Sequence, residues 1–82
     1  MLKVFEYQLC QIQESRVTFV NGVWQGEREL NPDDTDASLN SCPQTWEYLQ
    51  QAGAAGWELV GALNRLHTGI QAQQLFLKRE KL

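Results

Sequence analysis

Apolar and polar residues alternate from the start of the chain. Leu2, Val4 and Glu6 share one parity, and Lys3, Phe5, Tyr7 and Leu9 share the other. A period of two with aromatic and β-branched content predicts a strand over residues 2–9. The pattern runs on through Gln11, Ile12, Gln13 and Glu14 as a ribbon with a wet outer face. Arg16–Val20 reads as a second short strand, and Asn21-Gly22 supplies a hairpin turn, since both residues tolerate positive φ. Val23 and Trp24 resume the apolar pattern and Gly26 ends it. Trp24 is expected beside Phe19 or over the sheet edge.

Residues 27–40, ERELNPDDTDASLN, lose all periodicity around Pro32 and read as one long acidic loop. Loops of that length are functional or mobile. A helix is predicted from Ser41, with Ser41 and Gln44 forming a capping box and Pro43 in the first turn. Cys42, Trp46, Leu49 and Gly53 recur as one helical face, and Gly56 is the expected left-handed cap. Gly53 is expected where the helix approaches the sheet closely. Residues 57–63, WELVGAL, are apolar on both parities, the pattern of a central strand, with Trp57 and Leu59 nearly inaccessible. Thr68-Gly69 turns the chain into a last strand over 70–79. The expected fold is α+β: one domain, 1–82, with a single helix packed on a small antiparallel sheet of three to four strands in the order β-β-α-β-β.

At 82 residues the chain supports only a thin core, and 43% hydrophobic residues place it among folded domains. A net charge of -3 argues against nucleic acid or an anionic membrane as main partner. Glu27, Glu29, Asp33, Asp34 and Asp36 crowd ten residues with only Arg28 opposing them. The N-terminal stretch has charges among its apolar residues and does not read as a signal peptide, and no run is long enough to span a membrane. A cytoplasmic location follows as the expectation. Cys10 and Cys42 then read as free thiols in or near the core, with a disulfide as the alternative.

The string Leu49–Leu63, LQQAGAAGWELVGAL, resembles the signature of DUF4177, a family of small bacterial proteins. The supporting blocks are Val4-Phe5-Glu6-Tyr7 in the opening strand, Gly53–Val60 around the Gly-Trp-Glu-Leu-Val motif, and Phe76-Leu77-Lys78-Arg79 at the end. The resemblance spans roughly half the chain and leaves out residues 21–41. It implies a helix on a small antiparallel sheet and brings no activity and no catalytic residues.

The chemistry-bearing residues are sparse. His67 is the lone histidine and reads as an ordinary turn residue; no spacing joins it to Cys10 or Cys42, although a thiol near a helix start can have a lowered pKa. No catalytic residue, metal set or cofactor is assigned: Asp33, Asp34 and Asp36 lack the calcium-loop context, and the GAAG segment lies at the wrong helix pole for phosphate. The chain does not read as an enzyme. Glu58, an acid among apolar neighbours, is either an edge residue paired with Arg65 or Lys78, or a functional buried carboxylate. Nucleic-acid binding would need Arg16, Arg28, Arg65, Lys78, Arg79 and Lys81 to share a face. The reading that remains is a protein-interaction or structural module. Its expected partner is a protein, basic in character, met by Trp24, Asp33, Asp34 and Asp36, and the chain is expected to form a homodimer. A small-ligand site beside Trp24 and Tyr48 is the alternative.

Overall fold

Seven elements follow one another in the computed structural model, which describes the backbone of residues 2–67 and 70–82 and the side chains of 2–64 and 73–82. They are β1 (Phe5–Gln13), β2 (Arg16–Val20), β3 (Val23–Trp24), α1 (Thr35–Asn40), α2 (Thr45–Ala54), β4 (Glu58–His67) and β5 (Ile70–Glu80). The strands form one sheet in the order β3-β2-β1-β5-β4, with every pair antiparallel. The expected α+β class with an antiparallel sheet holds, but the described residues form five strands and two helices rather than three to four strands and one helix. The Thr68-Gly69 turn and the side chains of Arg65 and His67 lie outside the described residues.

Two short turns build the first three strands. Asn21 (φ 49°) and Gly22 (φ 82°) make the expected two-residue turn, and Asn21 Oδ1 accepts from Leu9 N–H at 2.8 Å. Glu14 and Ser15 make a second turn with both φ values positive (51° and 63°). Neither residue is a glycine, so the pattern gave no signal for it. Its geometry is held from outside: Ser15 O accepts from Thr45 N–H at 3.0 Å and from Thr45 Oγ1 at 2.9 Å.

The segment expected as a loop is partly helical. Asp34 caps α1 by accepting from Ala37 N–H, and the buried Ser38 donates to Glu29 O at 3.0 Å and accepts from Asn31 N–H at 2.9 Å. Ser41 is therefore the end of α1, its hydroxyl donating to Ser38 O at 2.6 Å, and not the cap of α2. Pro43 and Gln44 run extended along β2, where Pro43 O accepts from Val17 N–H at 2.9 Å and Gln44 bridges Arg16. This pairing holds the helix start back to Thr45, and Gln44 makes no side-chain cap.

The face of α2 also differs from the predicted one. Ala52 is buried, Tyr48 and Leu49 pack on the core, and Trp46 is 63% exposed. Gly53 faces open space, so close approach does not explain it. The helix ends as expected on Gly56 (φ 93°): Gly56 N–H donates to Gly53 O and Trp57 N–H to Ala52 O, each at 3.0 Å. The core on which α2 sits joins Cys10, Ile12, Val17, Ala52 and Leu77. β4 is an edge strand and not a central one, and Leu59 is 51% exposed instead of inaccessible. The connection from α2 leads the chain to the far side of β5, beyond the helix's cover.

Candidate functional site

Directly paired residues of an antiparallel sheet point to the same side. Gln8, Cys10 and Ile12 oppose Leu77, Leu75 and Gln73, which fixes the helix-covered face. The other face follows from the alternate positions. One row holds Tyr7, Lys78 and Glu58; the next holds Leu9, Phe76 and Gly61; a third holds Gln11, Gln74 and Leu63. No helix packs on these rows. Tyr7 is 63%, Leu63 46% and Phe76 38% exposed, and Phe5 is exposed beside them. The Phe76 ring lies against Gly61, whose bare backbone leaves it room. Lys78 Nζ sits 4.8 Å from the Phe5 ring centre and 3.6 Å from Glu58. The result is an apolar strip with an ion pair at one end.

Glu58 belongs to this face as an exposed, paired edge residue, and is not a buried carboxylate. Lys78 and Arg79 point to opposite faces. Arg79 pairs with Glu6, donates to Ala55 O at 3.0 Å and covers the Trp57 ring at 4.5 Å. Arg16 is likewise engaged, donating to Cys42 O at 2.7 Å and Asn40 O at 3.2 Å. The bases named for nucleic acid do not form one surface among the described side chains.

Trp24 lies opposite Phe19 with ring centres 5.3 Å apart, edge to face, and its Nε1 donates to Arg28 O at 2.7 Å. It staples the acidic segment to the sheet, and Gly26 sits so close to this ring and to Ser41 Oγ that a Cβ would not fit. Asp33, Asp34 and Asp36 are exposed. Asp34 has the capping role given above, and Asp33 N–H donates to Asn31 Oδ1 at 2.9 Å. Trp24 lies with Phe19 on the outer side of the sheet, and Tyr48 bonds Gln8 on the helix-covered side. A shallow cleft of about 470 Å³ lies between the Glu14-Ser15 turn and the start of α2, lined by Arg16, Trp46 and Leu49.

Cys10 and Cys42 are free and buried. Burial pushes both thiols up; Tyr48 opposes the rise at Cys10 and Arg16 opposes it at Cys42. At Cys42, which lies inside and ahead of the helix, burial outweighs the lowering that a helix start can bring. The Tyr48 hydroxyl donates to Gln8 Oε1 at 2.5 Å, and burial, with Cys10 next to it, pushes its pKa up to about 12. Gln8, Cys10 and Tyr48 form an internal polar cluster. Among the described residues no three His, Cys, Asp or Glu side chains gather as a metal site, and no helix is long and apolar enough to cross a membrane.

Phe5, Tyr7, Phe76 and Leu63 of the outer-face strip are not among the residues that the sequence singles out for partner binding. The strip's signal is the change of parity along β1, where Phe5, Tyr7 and Leu9 are apolar on one side and Cys10 and Ile12 on the other. Comparison with models of known families, with curated proteins and with solved structures finds no match for this chain.

Proposed function

We propose that this domain is a protein-interaction module that meets its partner with the uncovered face of the sheet. The observation that carries the reading is the strip of Phe5, Tyr7, Phe76 and Leu63, exposed on a rigid sheet and rimmed by Glu58 and Lys78. Aromatic anchors beside a polar rim are the usual makings of an interface. Asp33 and Asp36 face solvent and steer a basic protein partner, an effect that salt screens. Trp24 holds the acidic segment in place and is not itself the anchor.

The test compares capture from native cell extract by the unmodified chain and by two variants. Tyr7→Ser with Phe76→Ser should lose the partner at all salt concentrations while keeping its melting temperature within a few degrees. Asp33→Asn, Asp34→Asn and Asp36→Asn together should weaken capture at low salt only; asparagine at 34 still caps α1. Full capture by the folded outer-face variant overturns the reading.

A further inference from the structure

We infer that a second copy of this chain covers the free edge of β4, its own β4 pairing antiparallel to the first about a two-fold axis, so that two five-stranded sheets become one. The inference rests on the reading above only in that the joined sheet would carry the interaction face.

Its starting point is a mismatch between sequence and position. Residues 57–63 have the pattern of a strand buried on both sides, yet β4 has β5 as its single neighbour. Leu59 shares the helix-covered side with Leu77 by register, Leu63 lies on the outer side, and both are about half exposed. Val60 has no partner on β5, because the register shifts between Leu59 and Gly61, and it too is exposed. A second strand on this edge would flank all three.

The middle of the edge lacks two of the devices that keep sheet edges apart, although β4 carries a bulge at Val60. Residues 59–64, LVGALN, carry no charge and no proline. Among the described residues no hydrogen bond from elsewhere in the chain reaches the outer side of β4. A radius of gyration of 14.0 Å exceeds the ~12 Å of a compact domain of this length, as a chain with an unpacked flank would show.

The opposite edge selects the occupant. β3 has two residues, and the line beyond β2 is taken up within the chain: Gln25 N–H donates to Thr18 O and Val17 N–H to Pro43 O, each at 2.9 Å. Each molecule thus offers one long adhesive edge and one that is closed. An antiparallel strand can pair with its own copy, and such isologous pairing closes at two copies instead of running on as a fibre. The small residues Gly61 and Ala62 stand mid-run, where the axis would pass. A two-fold normal to the sheet sets both Phe76 strips on the same side, one platform of twice the length.

Sedimentation equilibrium of the full chain at micromolar concentration tests this. The unmodified protein should weigh twice the 9.4 kDa chain. Val60→Lys with Leu63→Lys should give a folded monomer, while Tyr7→Ser with Phe76→Ser should stay dimeric. A monomeric unmodified protein overturns the inference, as does a dimer that survives the edge change or falls to the outer-face change. If the lysine variant does not fold, amide exchange on the unmodified chain decides. The N–H groups of β4 that point away from β5 should be protected, and more so at higher concentration; exchange at the solvent rate overturns the pairing. A monomer whose outer-face variant still loses its partner would remove the dimer and leave the interaction reading standing.

Discussion

The two flanks of this sheet use similar residues in opposite ways. On the β1–β2 flank, Cys10, Ile12 and Val17 join the core with Ala52 of α2 and are shut off from solvent. On the β4 flank, Leu59, Val60 and Leu63 are as apolar and stand about half exposed. The difference comes from connection. The segment Pro43-Gln44 ties α2 to the β2 edge, and the Gly56 turn then carries the chain to the far side of β5. A helix of ten residues, ~15 Å long, cannot cover five strands spaced ~4.8 Å apart. Apolar residues here mark two surfaces, one filled by the chain's own helix and one left uncovered.

The largest expected effect separates the flanks directly. Leu77, 1% exposed beneath α2, should cost ~2–5 kcal/mol as Leu77→Ala, since methyl groups are lost and a cavity remains. Leu63→Ala should cost under ~0.5 kcal/mol in dilute solution, the range for surface positions. Urea denaturation at two protein concentrations reads both. A Leu63→Ala cost above ~1.5 kcal/mol that persists on dilution would show that the β4 flank is covered within the monomer.

Much of this was written in the chain. The Asn21-Gly22 turn, the five residues of β2, and the cap at Gly56 follow from local rules that need no partner across the fold. The misplaced parts depend on distant contacts. Ser41 with Gln44 satisfies the capping-box spacing, but pairing of Pro43-Gln44 with Arg16-Val17 takes that stretch for the sheet edge. Trp46 was expected inside because its spacing to Leu49 and Gly53 is helical. Moving the helix start to Thr45 and its contact face to Tyr48, Leu49 and Ala52 turns Trp46 outward. Residues 57–63 have the composition of a central strand, but the strand order puts them at the edge, which composition alone does not reveal. At the candidate site, Glu58 was legible as an edge acid paired with Lys78, whereas the Phe5–Tyr7–Phe76 strip needed the strand order to become visible.

A smaller effect is expected at the joint between the flanks. Gly56 has φ 93°, a value that costs an L-residue ~1–2 kcal/mol. No atom stands where a Cβ would be added, so the backbone alone sets the loss. Gly56→Ala should therefore lower stability by about that much, while Gly53→Ala, in the same helix with the same open space and no positive φ, should raise it by ~0.5–1 kcal/mol. Equal effects at the two glycines would mean that the turn into β4 is not held in the left-handed form.

A modest loss at neutral pH is expected from the polar cluster under the covered flank. Tyr48→Phe removes the hydroxyl bonded to Gln8 Oε1 and should cost ~1 kcal/mol, the net worth of such a bond. Its signature lies at high pH. Burial and the nearby Cys10 push the Tyr48 pKa up to about 12 from its ordinary 10.0, so the folded state holds the phenol proton after the unfolded chain has lost it. Between those values the unfolded state binds fewer protons, and stability must fall as pH rises. The contribution is whole below pH 10 and lost as the pH passes through about 12. Denaturant midpoints measured across that window should drop more steeply for the unmodified chain than for Tyr48→Phe, so that its lead at neutral pH shrinks and is lost within the window. The difference between the curves reports the phenol together with the Cys10 thiol next to it. Parallel curves would mean that Tyr48 is open to solvent, and that the helix covers less of the β1 flank than its contacts with Gln8 and Cys10 require.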